Sequence, residues 1–264
     1  HRWKYSGTLT YSFNKRDYVV WEFPKHFISA TYSYDVMSPM DKFLFTDKDN
    51  VFLSFKTTTV DQMSYMRDVA INYELETPTG FGVKSMLRHR NDEPTGNLKY
   101  WANNSSADKM PLPNEKPIHD ITTAEASVTL RYAPGEAFVN SKQRRIPVSL
   151  DAPIFTLTHT AGFKGVLGGE YNFNRTEASI WKRVWLPSSW GKVDISLKGG
   201  AEWNTVPFPL LILPEANLSY ITQRETFCLI NNMEFLNDRF ASLSLSYDMN
   251  GKLFNRIPLI KKLK

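Results

Sequence analysis

The sequence predicts an all-β chain, folded as a transmembrane antiparallel up-and-down barrel with long loops on one rim. Three observations carry that prediction. First, stretches of residues alternate between apolar and polar: Leu243, Leu245, Tyr247 and Met249 against Ser242, Ser244, Ser246 and Asp248, and Ala124, Ala126, Val128, Leu130 and Tyr132 against Glu125, Ser127, Thr129 and Arg131. Side chains on a strand point to alternate faces, so each stretch has one apolar and one polar face. Second, the stretches run to about 10–12 residues, close to what a tilted membrane-crossing strand needs and about twice the usual soluble strand. Third, aromatic residues stand at their ends. Trp3 and Phe13 bracket one apolar face, Phe155 and Phe163 another, and Tyr132 and Trp203 close two more. Rings in such positions suit the two interfaces of a bilayer. The polar faces carry Glu, Asp, Lys and Arg as well as Ser and Thr, which suits a hydrated lumen.

In chain order the alternation predicts strands near 3–14, 27–36, 51–58, 67–77, 81–90, 122–132, 153–163, 169–186 (broken or paired), 192–203, 226–236 and 239–250. In the first, Tyr5, Leu9, Tyr11 and Phe13 oppose Lys4, Ser6, Thr8, Thr10 and Ser12; in the fourth, Val69, Ile71, Tyr73 and Leu75 oppose Asp68, Asn72, Glu74 and Glu76. Val193, Ile195, Leu197, Ala201 and Trp203 oppose Asp194, Ser196, Lys198 and Glu202 in the ninth. Thr77–Gly80, with Pro78, and Asn237–Asp238 are predicted tight turns, whereas 91–121, 133–152 and 204–225 are long and rich in Pro, Asn, Lys or Ser. Short turns on one rim and long loops on the other are the layout of an outer-membrane barrel.

Composition narrows the function classes. The chain has 264 residues, 42% hydrophobic and 14% aromatic, as expected of one large all-β unit. Mean hydropathy is −0.38, and no window approaches the roughly 18 apolar residues of a membrane-spanning helix. Transmembrane strands escape that test because half their residues are polar. The net charge of +5 has two readings, a generally basic surface or attraction to anionic lipid and lipopolysaccharide phosphates. No basic helix or basic-aromatic motif points to nucleic acid. Cys228 is alone, which excludes an intrachain disulfide.

Several motifs bear on chemistry. Asp47-Lys48-Asp49-Asn50 starts like a calcium loop, but Val51 and Phe52 stand where an oxygen ligand and a glycine belong, so an Asx-type turn is expected. Gly162, Gly165, Gly168 and Gly169 precede the strand-like Glu170-Tyr171-Asn172-Phe173 rather than a helix, which points to a bend or close packing in the wall, not a phosphate loop. The five histidines lack metal-ligand spacing. His159 falls on an apolar face, where a membrane lipase could use it, but no Ser or Asn companion can be named. No cofactor or metal is expected. In the long loop Lys142, Arg144 and Arg145 form a basic cluster; it is either a solvated loop or a grip on lipopolysaccharide phosphates. Val206–Pro214 is apolar with three prolines. It cannot be a central strand, and either folds into the lumen, caps the barrel or forms an irregular edge.

Particular words then carry a resemblance: Tyr73-Glu74-Leu75-Glu76-Thr77 with Gly80-Phe81, Phe45–Val51, Val206–Leu211, Pro214–Tyr220, Asn232–Arg239, and above all the tail Asn250–Lys264. Over nearly its whole length the chain resembles the C-terminal outer-membrane β-barrel of an uncharacterised Bacteroidota family whose members carry an N-terminal carboxypeptidase-regulatory-like domain. It is distantly similar to the outer-membrane assembly and translocation barrels. The Arg-Gly-aromatic motif of that superfamily's lumenal loop is missing from 204–225, so insertase activity does not follow from the resemblance. The resemblance implies a single barrel domain over 1–264, incomplete at both ends and lacking closing strands. The expected function is that of a non-enzymatic protein of the cell outer membrane, acting in envelope biogenesis, assembly or transport within a larger complex. Its expected partners are outer-membrane lipid, lipopolysaccharide and other envelope proteins. Glu234, Asp238 and Arg239 are candidate lumenal polar residues, or else a turn-stabilising ion pair. A passive pore and a soluble β-rich binding domain are the alternatives.

Overall fold

In the computed structural model, residues 3–14, 24–37, 62–101, 116–140, 145–214, 216–217, 226–231 and 233–252 are described. They form β1 (Tyr5–Ser12), β2 (His26–Met37), β3 (Gln62–Glu76), β4 (Phe81–Gly96), β5 (Ile121–Tyr132), β6 (Phe138–Asn140), β7 (Arg145–Pro147), β8 (Ile154–Gly162), β9 (Phe173–Trp185), β10 (Lys192–Glu202) and β11 (Arg239–Asp248). Nine of these make one sheet, in the order β1-β2-β3-β4-β5-β8-β9-β10-β11, while β6 and β7 form a separate hairpin. Every pairing is antiparallel. Among the described residues there is no α-helix, only single 3₁₀ turns at Pro187–Ser189 and Phe208–Leu210. Among the described residues the sheet is open: β1 pairs there only with β2, and β11 only with β10. The fold is therefore the all-β, up-and-down antiparallel arrangement that the alternation predicts.

Register turns the alternation of single strands into continuous rows. Cross-strand partners share a face. One row reads Leu9, Ala30, Ile71, Leu87, Ala126, Ala161. Another reads Phe81, Tyr132, Phe155, Ile180, Leu197, Leu243. A third, on the opposite face, reads Thr8, Thr31, Ala70, Arg88, Glu125, Gly162, Phe173. A one-residue slip at any pairing would swap the faces beyond it, so the apolar face is a property of the whole sheet. That face is open: Leu9 is 81% exposed and Leu245 64%.

The polar face is laced with ion pairs. Arg183 grips Asp194 through two bonds of 2.6 and 2.8 Å, Arg175 meets Glu202 at 3.3 Å, and Asp68 lies between Arg88 at 3.4 Å and Arg90 at 3.6 Å. Two joints of glycine and ring stiffen this face. Phe173 lies over Gly162 and Phe240 over Gly200, each ring filling the space a Cβ would take.

Aromatic residues collect at both ends of the apolar face. At one end Phe13 stacks on His26 at 4.6 Å, His26 Nε2 lies 3.1 Å from the Tyr73 hydroxyl, and Tyr132 stacks on Phe155. At the other end Tyr34 stacks on Tyr65, and Tyr5 packs on both Tyr32 and Tyr34. From Tyr65 to Tyr73 along β3 is roughly 26 Å, at about 3.3 Å per residue.

The rims differ from expectation in three places. Thr77–Gly80 and 186–191 join neighbouring strands on one rim, and β2, β4, β8 and β10 end on the other. The 133–153 connection, expected among the long loops, lies on the short-turn rim and is partly ordered by the β6–β7 hairpin. Residues 226–231 and 233–236 form no strand. Ile230 and Leu236 pack against buried Leu213 and Ala216, and Met233 has φ 58, so their alternation reflects burial of an irregular segment. Asn237–Asp238 is accordingly no hairpin turn; Asn237 bonds Ile212, and the Asp238 carbonyl accepts the Glu202 amide. β4 also runs past 90 to Gly96, because β3 pairs with it back to Gln62 after the apolar alternation has ended. Strand 51–58 and the Asp47–Asn50 turn lie outside the described residues.

Candidate functional site

Clusters of buried apolar residues sit on the polar side of the sheet, at its long-loop end. The first is built on the segment after β10. Val206, Leu210 and Leu211 pack on Phe173, the first residue of β9, with Tyr171 and Phe208 around them. A second cluster joins Leu98, Tyr100 and Ile121, from the ends of β4 and β5, to the same Tyr171 and Phe208. Tyr100 is 0% and Phe173 2% exposed, and the Tyr100 ring meets Phe208 edge-on, 5.7 Å between centroids.

The sequence dictates this placement. Pro207, Pro209 and Pro214 cannot donate to a ladder, so the segment leaves the sheet. Its Val, Phe, Leu and Ile side chains must still leave water, and inward-facing Phe173 and the residues around Tyr100 provide the surface. Of the readings left open for Val206–Pro214, folding against the inner face is the one adopted.

Polar groups tie the segment down. The Arg175 guanidinium donates to the Leu210 carbonyl and also to the Glu202 carboxylate, its register partner. Ile212 and Asn237 exchange two backbone bonds, of 2.9 and 3.1 Å. Burial pushes the Tyr100 hydroxyl above the ordinary tyrosine range, and nearby Asp92 adds to the rise. In the 163–172 connection, burial and neighbouring Asp120 raise the Glu170 carboxyl. Burial and Glu170 raise the Tyr171 hydroxyl.

The sequence-derived candidates are dispersed. The Glu234 carboxylate accepts the Asn231 amide at 2.8 Å. Asp238 is exposed beside β10. Arg239 pairs with Ala201, so parity places it with Leu243 and Leu245 on the apolar face rather than with Ser242 and Ser244; its guanidinium lies 5.9 Å from the centre of the Trp203 ring. No hydrogen bond or ion pair joins these three residues to one another among the described residues. Lys142 and Arg144 lie outside the described residues, and Arg145 opens β7 opposite Asn140. His159 stands on the apolar face, its Nδ1 3.0 Å from the Thr176 hydroxyl. Gly162 and Gly169 fill the close-packing role, under Phe173 and against the Phe163 carbonyl, while Gly165 and Gly168 take left-handed turns. Among the described residues no group of three or more His, Cys, Asp or Glu could hold a metal ion.

The residues that build the interior, namely Phe173, Arg175, Tyr100 and Glu202, were not singled out from sequence. One signal was present: Phe173, Trp181 and Trp185 stand at the polar-face parity of β9, and a ring on a wet face implies something to cover it.

No curated protein matches the chain. The model described as "Family of unknown function (DUF5686) C-terminal domain" matches residues 1–264. This nine-stranded sheet with its inserted segment therefore belongs to the DUF5686 C-terminal domain family.

Proposed function

We propose that the chain forms the wall of an outer-membrane β-barrel, a non-enzymatic protein acting in envelope biogenesis, assembly or transport as part of a larger complex. One observation carries the location: apolar rows, each running over six neighbouring strands, lie between two bands of aromatic residues. Soluble monomers rarely leave contiguous apolar patches of more than a few hundred Å² uncovered. Ion pairs on the opposite face suit a hydrated interior, where Arg and carboxylates neutralise one another across strands. The resemblance to outer-membrane assembly and translocation barrels supports the role.

The partners in this proposal are bilayer lipid, lipopolysaccharide and other envelope proteins. Barrels of this type keep short turns on the periplasmic side and long loops outside. The connection carrying Lys142, Arg144 and Arg145 is on the short-turn rim, so the proposal assigns lipopolysaccharide contact to the opposite rim. A passive pore is the second reading. The packing of Val206–Leu213 across the interior disfavours it, because an open channel needs that mouth empty.

The test uses the full-length protein. Membranes are isolated, extracted in detergent and run on gels with and without boiling. The proposal expects membrane fractionation and a heat-dependent mobility shift; recovery in the soluble fraction with no shift overturns it. Affinity purification from the membrane then separates a complex subunit from a solitary pore.

A further inference from the structure

We propose that residues 205–214 are a releasable plug and that Arg175 is the latch that holds it in its seat. Three features of the segment lead there. It contributes no strand to the sheet, so β9, β10 and β11 keep their ladders whether it is in or out. Its prolines remove backbone donors at Pro207, Pro209 and Pro214, which concentrates its polar attachment at a few places. Both of its ends emerge on one rim, since β10 finishes at Glu202 and β11 starts at Arg239, so withdrawal threads nothing through the sheet.

Among the described residues, two polar ties are seen to hold it. One is the exchange of bonds between Ile212 and Asn237, which fastens the far half to the chain entering β11 and travels with that chain. The other fastens the segment to the wall itself: Arg175, projecting from β9, donates to the Leu210 carbonyl while its Nε donates to Glu202. The Glu202 side chain is fully buried, so the guanidinium is aimed by a partner that does not move with the plug. A planar fork can hold a carboxylate and a carbonyl at once, and it loses only one of them on release. The rest of the attachment is apolar: Phe173, Tyr171 and Tyr100 form the seat on the wall, and Ile230 and Leu236 pack on Leu213 and travel with the chain entering β11.

The latch rests on the barrel reading only for what an opened mouth would conduct. Its test therefore reads the plug directly. In the full-length protein with Cys228→Ser, Leu211→Cys reports exposure, since Leu211 is 3% exposed. Maleimide labelling in micelles is expected to be slow in that background and roughly ten- to hundred-fold faster when Arg175→Gln is added, the fold-change of one lost charge-assisted hydrogen bond. Glu202→Gln keeps the guanidinium on the carbonyl and is expected to leave labelling slow. The double variant Arg175→Met with Glu202→Gln leaves no unpaired buried charge; it should label as fast as Arg175→Gln, and it takes over the test if the single variant loses its fold. In planar bilayers the fast-labelling variants should show a higher open probability. Unchanged labelling in both Arg175 variants overturns the latch. Fast labelling in the Glu202→Gln control, equal to that of Arg175→Gln, overturns it too, because the carboxylate rather than the carbonyl contact would then hold the segment. Heat-dependent gel mobility, measured on the same samples, reports the barrel separately.

Discussion

Replacing Gly162 with alanine brings a methyl group into space that the Phe173 ring already fills. The new Cβ would lie 2.7 Å from Cζ of that ring, and nearer still to Cδ1 and Cε1. Real Cβ atoms do not approach so closely, so the ring or the strand must move. The ring is 2% exposed and packed under Val206, Leu210 and Leu211, which leaves it no free rotamer. Overpacking of this kind costs about 1–3 kcal/mol. Against it stands the gain of removing a strand glycine, about 0.5–1 kcal/mol. The net expectation for Gly162→Ala is a loss of about 1–2 kcal/mol, read as a lower urea midpoint in folding monitored by heat-dependent gel mobility. Phe173→Ala alone should cost more, about 3–5 kcal/mol, by emptying the seat. The decisive measurement is the double variant. With the ring gone, Gly162→Ala should become neutral or slightly stabilising, so the two changes should couple by about 1–3 kcal/mol. Equal destabilisation by Gly162→Ala with and without Phe173 would refute the reasoning and place the cost in the backbone.

The remaining expectations address other parts of the molecule. Leu245→Lys, on the apolar face, should cost about 2–4 kcal/mol of folding into lipid vesicles, whereas Ser244→Lys on the other face should fold at near wild-type stability; equal costs would deny the facing. Arg183→Ala removes the two bonds that the guanidinium makes to Asp194 and should lower stability by about 1.5–3 kcal/mol, measured by urea titration, with Arg183→Lys giving part of it back. Tyr100 makes stability fall on the alkaline side. Its folded hydroxyl lies above the ordinary 10.0, so the unfolded chain loses the proton first, and the contribution is complete below that value and declines as pH rises past it. Tyr100→Phe should flatten the alkaline limb of a urea-midpoint profile, and an unaltered limb would contradict this.

The strands were legible because a period of two is written locally: Leu243 to Met249 can be read without knowing what pairs with them. The rows were not, since Phe81 meets Tyr132, and Tyr132 meets Phe155, only once register is set over distances the alternation does not encode. The same limit explains 226–236. Ile230 and Leu236 alternate because they cover Leu213 and Ala216, and a local pattern cannot tell a strand face from an irregular segment lying on a core. The burial of Val206–Pro214 followed from proline among apolar residues, but its seat did not, because Tyr100 and Phe173 are far apart in the chain and neither belongs to a recognisable motif. Arg175 and Glu202 looked like any other polar-face residues until the register made them neighbours.

The strand count has a geometric consequence. In a sheet where each strand reverses its neighbour, an odd number leaves the two outer strands pointing the same way, and the described residues give this one nine. If β1 were zipped to β11, the seam would be a parallel ladder in an otherwise antiparallel cylinder. Two identical sheets turned about the membrane normal fare no better, since the edge of each again meets a strand of its own direction. A cylinder of uniform antiparallel pairing therefore adds an odd number of strands to these nine, in line with the even totals of bacterial single-chain barrels. Parity alone thus makes the edges of this sheet selective about what can close it.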